Sequence, residues 1–170
     1  MANVYFIGDI HAGHTNIANF RKEITSEEHN REVIAESWDK LVTKRDLVWV
    51  MGDAAFTQEG LDWIATLKGE KRLLRGNHDG LKIQKYLEVF TEVYGILRYK
   101  NYWLGHAPVH PQELRGKFCV HGHNHYNNIQ QHEFGYMVDD PRYLNTSVEN
   151  VRRTTGECLM SLTQVREYFK

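Results

Sequence analysis

Several things are scarce in this chain of 170 residues, and each scarcity removes a class of protein. There are two cysteines, Cys119 and Cys158, in no closely spaced pair, so no disulfide framework is implied. Both read as reduced thiols, and a cytoplasmic location is expected. No apolar run is long enough to span a bilayer. The start, Met1-Ala2-Asn3-Val4, enters a strand without the basic and apolar regions of a signal peptide, so no membrane partner is expected. A formal net charge of −1 leaves no excess of basic residues for an extended nucleic-acid surface. No repeat, low-complexity tract or linker interrupts the chain, and residues 1–170 read as one domain.

What is present is an alternation of short apolar runs and amphipathic stretches, with apolar content sufficient for a substantial core. Val4-Tyr5-Phe6-Ile7, Leu47-Val48-Trp49-Val50 and Lys71-Arg72-Leu73-Leu74 read as buried strands. A helix is expected from about residue 27 to 42, with Ile34, Trp38, Leu41 and Val42 on one face and capping-box spacing at Thr25 and Glu28. A second is expected over about 57–68, closed by Gly69. These βα units imply an α/β fold with a parallel sheet and a ligand site at the strand carboxyl ends. The second half reads as a hairpin over 96–104, strands near Phe118, Tyr143 and Leu159, and a last helix over about 162–169.

Metal-type side chains follow these runs in order: Asp9 and His11, then Asp53, then Asn77, His78 and Asp79, then His106, then His123 and His125. Eight of the ten histidines lie in or beside these segments, and only His29 and His132 fall elsewhere, where packing roles suffice. Asp9 and His11 are two apart, so an extended segment projects both side chains to one side. Mixed carboxylate and imidazole donors suit Mn, Fe, Zn or Ni better than calcium. Asp53 has two oxygens with which to bridge two cations. His123 and His125 repeat the two-residue spacing, so that one can serve each ion, and His121 extends it as a supporting group. Asn77 offers a carbonyl oxygen, and His78 beside it can be a proton donor to a leaving group, with Asp79 holding its imidazole. A structural zinc site would favour four cysteine or histidine ligands, which this larger, carboxylate-rich set does not match.

Together the strings Asp9-Ile10-His11, Gly52-Asp53, Gly76-Asn77-His78-Asp79, Gly105-His106 and Gly122-His123-Asn124-His125 resemble the calcineurin-like metallophosphoesterase superfamily. The resemblance spans most of the chain, with Asn145-Thr146-Ser147-Val148-Glu149 similar to the strand that closes the core of small members. It implies a four-layer sandwich of two mixed β-sheets flanked by helices. It also implies one divalent ion on Asp9, His11, Asp53 and His125 and another on Asp53, Asn77, His106 and His123. Manganese is favoured, with Fe, Zn, Ni or Mg as alternatives, and the ions are expected on the order of 3.5–4 Å apart. Water acidified between them would attack phosphorus in line, while His78 protonates the departing oxygen.

The substrate class follows from departures within that superfamily. Protein phosphatases typically carry Asp-Arg-Gly after the bridging aspartate, where this chain has Ala54-Ala55-Phe56. The first motif, His11-Ala12-Gly13-His14-Thr15-Asn16-Ile17, is similar to small bacterial, archaeal and phage-type members. The expectation is a phosphodiesterase acting on a small, nucleotide-like phosphodiester, with Asn77, Arg75, His14, Asn16 and His110 on the substrate side. Phosphomonoesterase activity and a non-catalytic metal-binding scaffold are the alternatives. The polar, aromatic segment 126–143 reads as a solvated loop, with a lid or β-extension over the site, or an oligomer contact, as the other readings.

Overall fold

The computed structural model describes residues 2–170. The apolar runs become the centres of two mixed sheets. In the first, β1 (Val4–Ile7), β2 (Leu47–Val50), β3 (Glu70–Leu74) and β4 (Glu92–Tyr94) lie parallel in that order. The second uses the antiparallel pair β5 (Ile96–Tyr99) and β6 (Tyr102–Gly105), with β7 (Phe118–His121) parallel to β6. After β7 in chain order comes a separate hairpin of β8 (Gln130–Glu133) and β9 (Tyr136–Asp139). Then β10 (Tyr143–Asn145) joins β7, and β11 (Met160–Ser161) adds antiparallel to β1.

Strand periodicity partitions the core. Side chains alternate across a pleated strand, so Tyr5, Ile7, Val48, Val50 and Leu73 turn to one face of the first sheet and Phe6, Trp49 and Leu74 to the other. The first face is covered by α1 (Glu27–Leu41), α2 (Gln58–Thr66) and α3 (Ile83–Leu87) through Ile34, Trp38, Leu61, Ile64 and Tyr86. The second face meets the second sheet at Tyr102, Leu104, Val120 and Leu144. Two further helices, α4 (Val148–Thr155) and α5 (Leu162–Tyr168), add Val151 and Val165 to this inter-sheet core. The outer face of the second sheet is covered thinly, by Leu114 beside the 3-10 turn Pro111–Glu113 and by the partly buried Val109 and Ile129, over Cys119 and Tyr143.

Local chemistry sets the boundaries, and it corrects three expectations. The cap of α1 is Ser26, whose hydroxyl accepts from the His29 amide at 3.1 Å, while Thr25 bonds the His29 ring instead. The run from Asn145 to Glu149 is not one strand. Asn145 Oδ1 accepts from both the amide and the hydroxyl of Ser147, a side-chain turn that diverts the backbone into α4 at Val148. The segment 126–143, read as a solvated loop, contains the β8–β9 hairpin, and it turns out Phe134, Tyr136 and Met137 to solvent. No helix among the described residues is long and apolar enough to cross a membrane.

Leu104 is fully buried where the sheets meet. Leu104→Ala should cost about 2–5 kcal/mol of stability through lost transfer energy and the cavity left behind. In urea unfolding this appears as a lower midpoint at unchanged slope.

Candidate active site

All of the chemistry-bearing segments leave the carboxyl ends of parallel strands: Asp9 after β1, Asp53 after β2, Asn77 to Asp79 after β3, His106 after β6, and His123 with His125 after β7. These loops bond to one another. The amides of Asp9, His11 and Ala12 donate to the carbonyls of Gly52, Asp53 and Ala54 at 2.9–3.0 Å, and Gly122 donates to His106 at 3.0 Å. Asp9 and His11 are not extended, contrary to the spacing argument. Their φ values are 57° and 54°, in the left-handed region, as are those of Asp53, His123 and His125 at 49°, 70° and 49°. Such strain persists only where surroundings over-determine it, and here the interlocked loops do so. The approach is close enough to require glycine at two points. A Cβ on Gly122 would lie 2.6 Å from Asp9 Oδ2, and one on Gly76 would lie 2.2 Å from Asp53 Oδ1.

The result is a cluster of electron-pair donors. His11 Nε2 lies 3.9 Å from both Asp9 Oδ1 and Asp53 Oδ2. His106 Nε2 lies 3.4 Å from Asp53 Oδ2, 2.9 Å from Asn77 Oδ1 and 3.1 Å from His123 Nδ1, and the last two atoms are 3.1 Å apart. His106 Nδ1 bonds the Met51 carbonyl at 2.9 Å, an arrangement in which Nδ1 carries the proton and Nε2 the lone pair facing the cluster. Asp9, His11 and His125 form one group able to hold a cation, and Asp9, Asp53 and His106 a second. Both ring nitrogens of buried His11 lack a hydrogen-bond partner. An orphaned imidazole among carboxylates is anomalous for a purely structural residue and fits a metal site.

Electrostatics agree with the burial. Removal from water pushes the Asp9 carboxyl up to about 6, against the favourable charges of His106 and His125. Burial, together with the nearby Arg21 charge, drives His11 down to about 3, so its imidazole is neutral and able to ligate. Burial would lower His106 as well, but its bond to Asp53 and the charges of Asp9 and Asp53 leave it raised. His121 is fully buried against Gly122 O at 2.7 Å, and burial lowers it to about 4.

The remaining candidates divide. The exposed His78 anchors its amide on Asp53 Oδ1 at 2.8 Å and stacks its ring on Phe56 with centroids 5.1 Å apart. Asp79 does not hold that ring, contrary to expectation. Its carboxylate is committed to the backbone, taking bonds from Ala54 and Gly76 at 2.8 Å and Ala55 at 3.3 Å, because these amides have no other partner in the turn. Arg75 is likewise engaged on the carbonyls of Asp79 and Leu81, so it braces the loop rather than facing a ligand. His14 stands beside the cluster, 4.6 Å from Phe56 and 6.0 Å from His11 between ring centroids. Asn16 begins the 3-10 turn Ile17–Asn19 with its side chain making no cap bond, and His110 caps the 3-10 turn after it by accepting from Gln112. Residues missed in the sequence are Phe56, which packs on His11, His14 and His78, and the buried pair Arg21 and Glu149 behind the cluster. Nothing in the local sequence marked Arg21 and Glu149, which are 128 positions apart.

Carboxylates and imidazoles gathered on loops at one end of two packed mixed sheets define a metal-dependent phosphoesterase. The chain belongs to the calcineurin-like phosphoesterase family, whose sequence profile matches residues 2–160. It is similar to the Gene 66 protein of Mycobacterium phage L5, at 30% identity over 162 residues that cover 74% of this chain and 78% of that one. The Gene 66 protein of Mycobacterium phage D29 is 40% identical over 84 residues, 46% of this chain and 41% of that one. Among solved structures, a protein of unknown function from Aquifex aeolicus superposes with a TM-score of 0.72 at 25% identity, over 98% of this chain and 99% of that one.

Asp79→Ala strands three amides at the base of the site. It should destabilise the protein by on the order of 3 kcal/mol and accelerate hydrogen exchange at Ala54, Ala55 and Gly76. Asp79→Asn should lose part of this, because one amide oxygen replaces two carboxylate oxygens.

Proposed function

We propose that this protein is a dinuclear metal-dependent phosphodiesterase acting on a small, nucleotide-like phosphodiester. One ion would be held by Asp9, His11, Asp53 and His125, and the other by Asp53, Asn77, His106 and His123. The observation that carries this reading is the orphaned, buried His11 imidazole facing Asp9 and Asp53, beside a second convergence of Asn77, His106 and His123. When bound, divalent cations supply Lewis acidity toward phosphoryl oxygens and lower the pKa of water; manganese is the favoured metal, with Fe, Zn, Ni or Mg as alternatives.

The chain's own residues do the rest. Asp53, which would serve both ions, is oriented by the His78 amide at its Oδ1, and the backbone around it is pinned by Ala12 and Asp79. Asp9 is steered by the His123 amide, which lies within 3.1 Å of both its oxygens. His78, exposed and backed by Phe56, is the proton donor to the departing oxygen. Its reach depends on the Phe56 stack, since no carboxylate holds the ring. His14 and Asn16 border the substrate on the His11 side, and Asn77 on the other.

Three results test the reading. Manganese-dependent hydrolysis of paired aryl phosphate mono- and diesters should favour the diester and vanish in Asp53→Asn; no turnover with any divalent metal would leave a non-catalytic scaffold. His78→Ala should retain bound metal yet lose roughly 10²–10⁴-fold on poor leaving groups, and loss of metal would instead remove His78 from the proton-donor role. Protons and cations compete for the Asp9 carboxylate, whose pKa in the metal-free protein is about 6. Metal affinity should therefore fall as pH drops through that value, with proton release on binding below it; titration calorimetry in buffers of different ionisation heat reads both.

A further inference from the structure

Behind the site lies a buried ion pair that none of the roles above uses. Glu149, in the first turn of α4, places Oε1 2.6 Å from Arg21 Nε and 3.1 Å from His125 Nδ1. Arg21 and Glu149 are each about 3% exposed at their side chains. The Arg21 guanidinium also donates to the Asp9 carbonyl, to the Ile10 carbonyl at 3.3 Å and to Asn30 Oδ1, while Asn30 itself donates to Ile10 at 3.1 Å. One cation thus clamps the backbone of the first motif from within, between Asp9 and His11, and hands a carboxylate to the last motif.

We propose that Glu149, fixed by Arg21, is a positioning residue that sets the strength of one metal site and not the other. The inference rests on the dinuclear reading. Glu149 accepting from Nδ1–H leaves His125 Nε2 as the lone-pair nitrogen, and a carboxylate partner makes that nitrogen a stronger donor than a neutral carbonyl partner would. Of the two histidines of the other site, His106 has only the Met51 carbonyl at its back, and His123 Nδ1 has only the neutral Asn77 amide oxygen and the His106 ring beside it. The two sites therefore differ in one imidazole: His125 of the first is backed by an ion pair with two further ties to the Asp9–His11 segment, whereas the histidines of the second have only neutral partners. The site built on Asp9, His11, Asp53 and His125 is the tighter of the two, and its advantage comes from Glu149. Glu149 Oε2 is buried without a partner, so the carboxylate is retained there at a desolvation cost that packing alone does not explain.

The test is Mn²⁺ titration by calorimetry of the metal-free wild type, Glu149→Ala, Glu149→Gln and, as a neighbouring exposed control, Lys22→Ala. The wild type should bind two ions in two affinity classes. Glu149→Ala should weaken the tighter class about 10–100-fold and leave the weaker class unchanged. Glu149→Gln, which keeps an acceptor oxygen but no charge, should lose less, and Lys22→Ala nothing. Nitrogen NMR of the His125 ring should show the Nδ1–H tautomer in the wild type and a mixture in Glu149→Ala. Equal weakening of both classes in the Gln variant, which keeps volume and packing, would reduce Glu149 to a fold support and overturn the proposal, as would no change in either class. A wild type that binds fewer than two ions overturns the dinuclear reading itself and this inference with it.

Discussion

Everything at this site follows from placing carboxylates where water cannot reach them. Asp9, Asp53 and Asp79 are all at most 2% exposed at the junction of two sheets, where an ionised carboxylate without partners is unstable. Among the described residues, no lysine or arginine side chain bonds the carboxylate of any of the three; Arg21 and Arg75 reach only the backbone carbonyls of Asp9 and Asp79. Their hydrogen-bond donors are backbone amides: His123 for Asp9, His78 for Asp53, and, for Asp79, Ala54 and Ala55 of a neighbouring loop with Gly76 of its own. Amides can be turned toward a carboxylate only if the chain bends sharply beside it. The left-handed conformations at Asp9, His11, Asp53, His123 and His125, and the glycines at positions 76 and 122, are how these loops do so. The arrangement is mutually supporting, because each carboxylate that needs an amide also fixes the loop that supplies another.

That architecture leaves charge compensation incomplete, which gives the site its chemical potential. Asp9 is pushed up to about 6, and His11 down to about 3, because burial opposes the charged form of each. A divalent cation reverses both penalties by neutralising the carboxylate and accepting the imidazole lone pair. The one buried guanidinium at the site, Arg21, acts from behind on backbone carbonyls and on Glu149, so it rigidifies the first motif without occupying the space in front of it. Burial alone would raise Glu149, yet its bonds to His125 and Arg21 hold it near 2, so it is ionised throughout the working range.

Much of this was legible in the linear chain, for identifiable reasons. Short apolar runs bounded by Gly-Asp and Gly-Asn can be buried strands only if their polar ends emerge at an edge, and the predicted strands at Val4, Leu47, Lys71, Tyr102 and Phe118 all occur, each within one residue of expectation. Local signals failed where another interaction outbid them. Asp79 follows His78 directly, yet its carboxylate turns to three amides, since a turn with unpaired N–H groups is the stronger claimant. Arg75 has the charge of a ligand-side cation, but carbonyls of its own loop take its guanidinium. The strand expected through Glu149 breaks at the Asn145 side-chain turn, and the short β4 carried too few apolar residues to be read at all.

The sequence by itself determined the candidate donors, their order and the family, because those depend on residue type and on the strand ends to which each type is attached. Tertiary structure alone decided how the donors are aimed. The left-handed turns, the Phe56 stack beneath His78 and the reach of Glu149 across the chain to Arg21 and His125 all arise from contacts between loops distant in sequence. No local propensity encodes such contacts, since each exists only once both sheets have packed and the amides of one loop have been brought to the carboxylates of another.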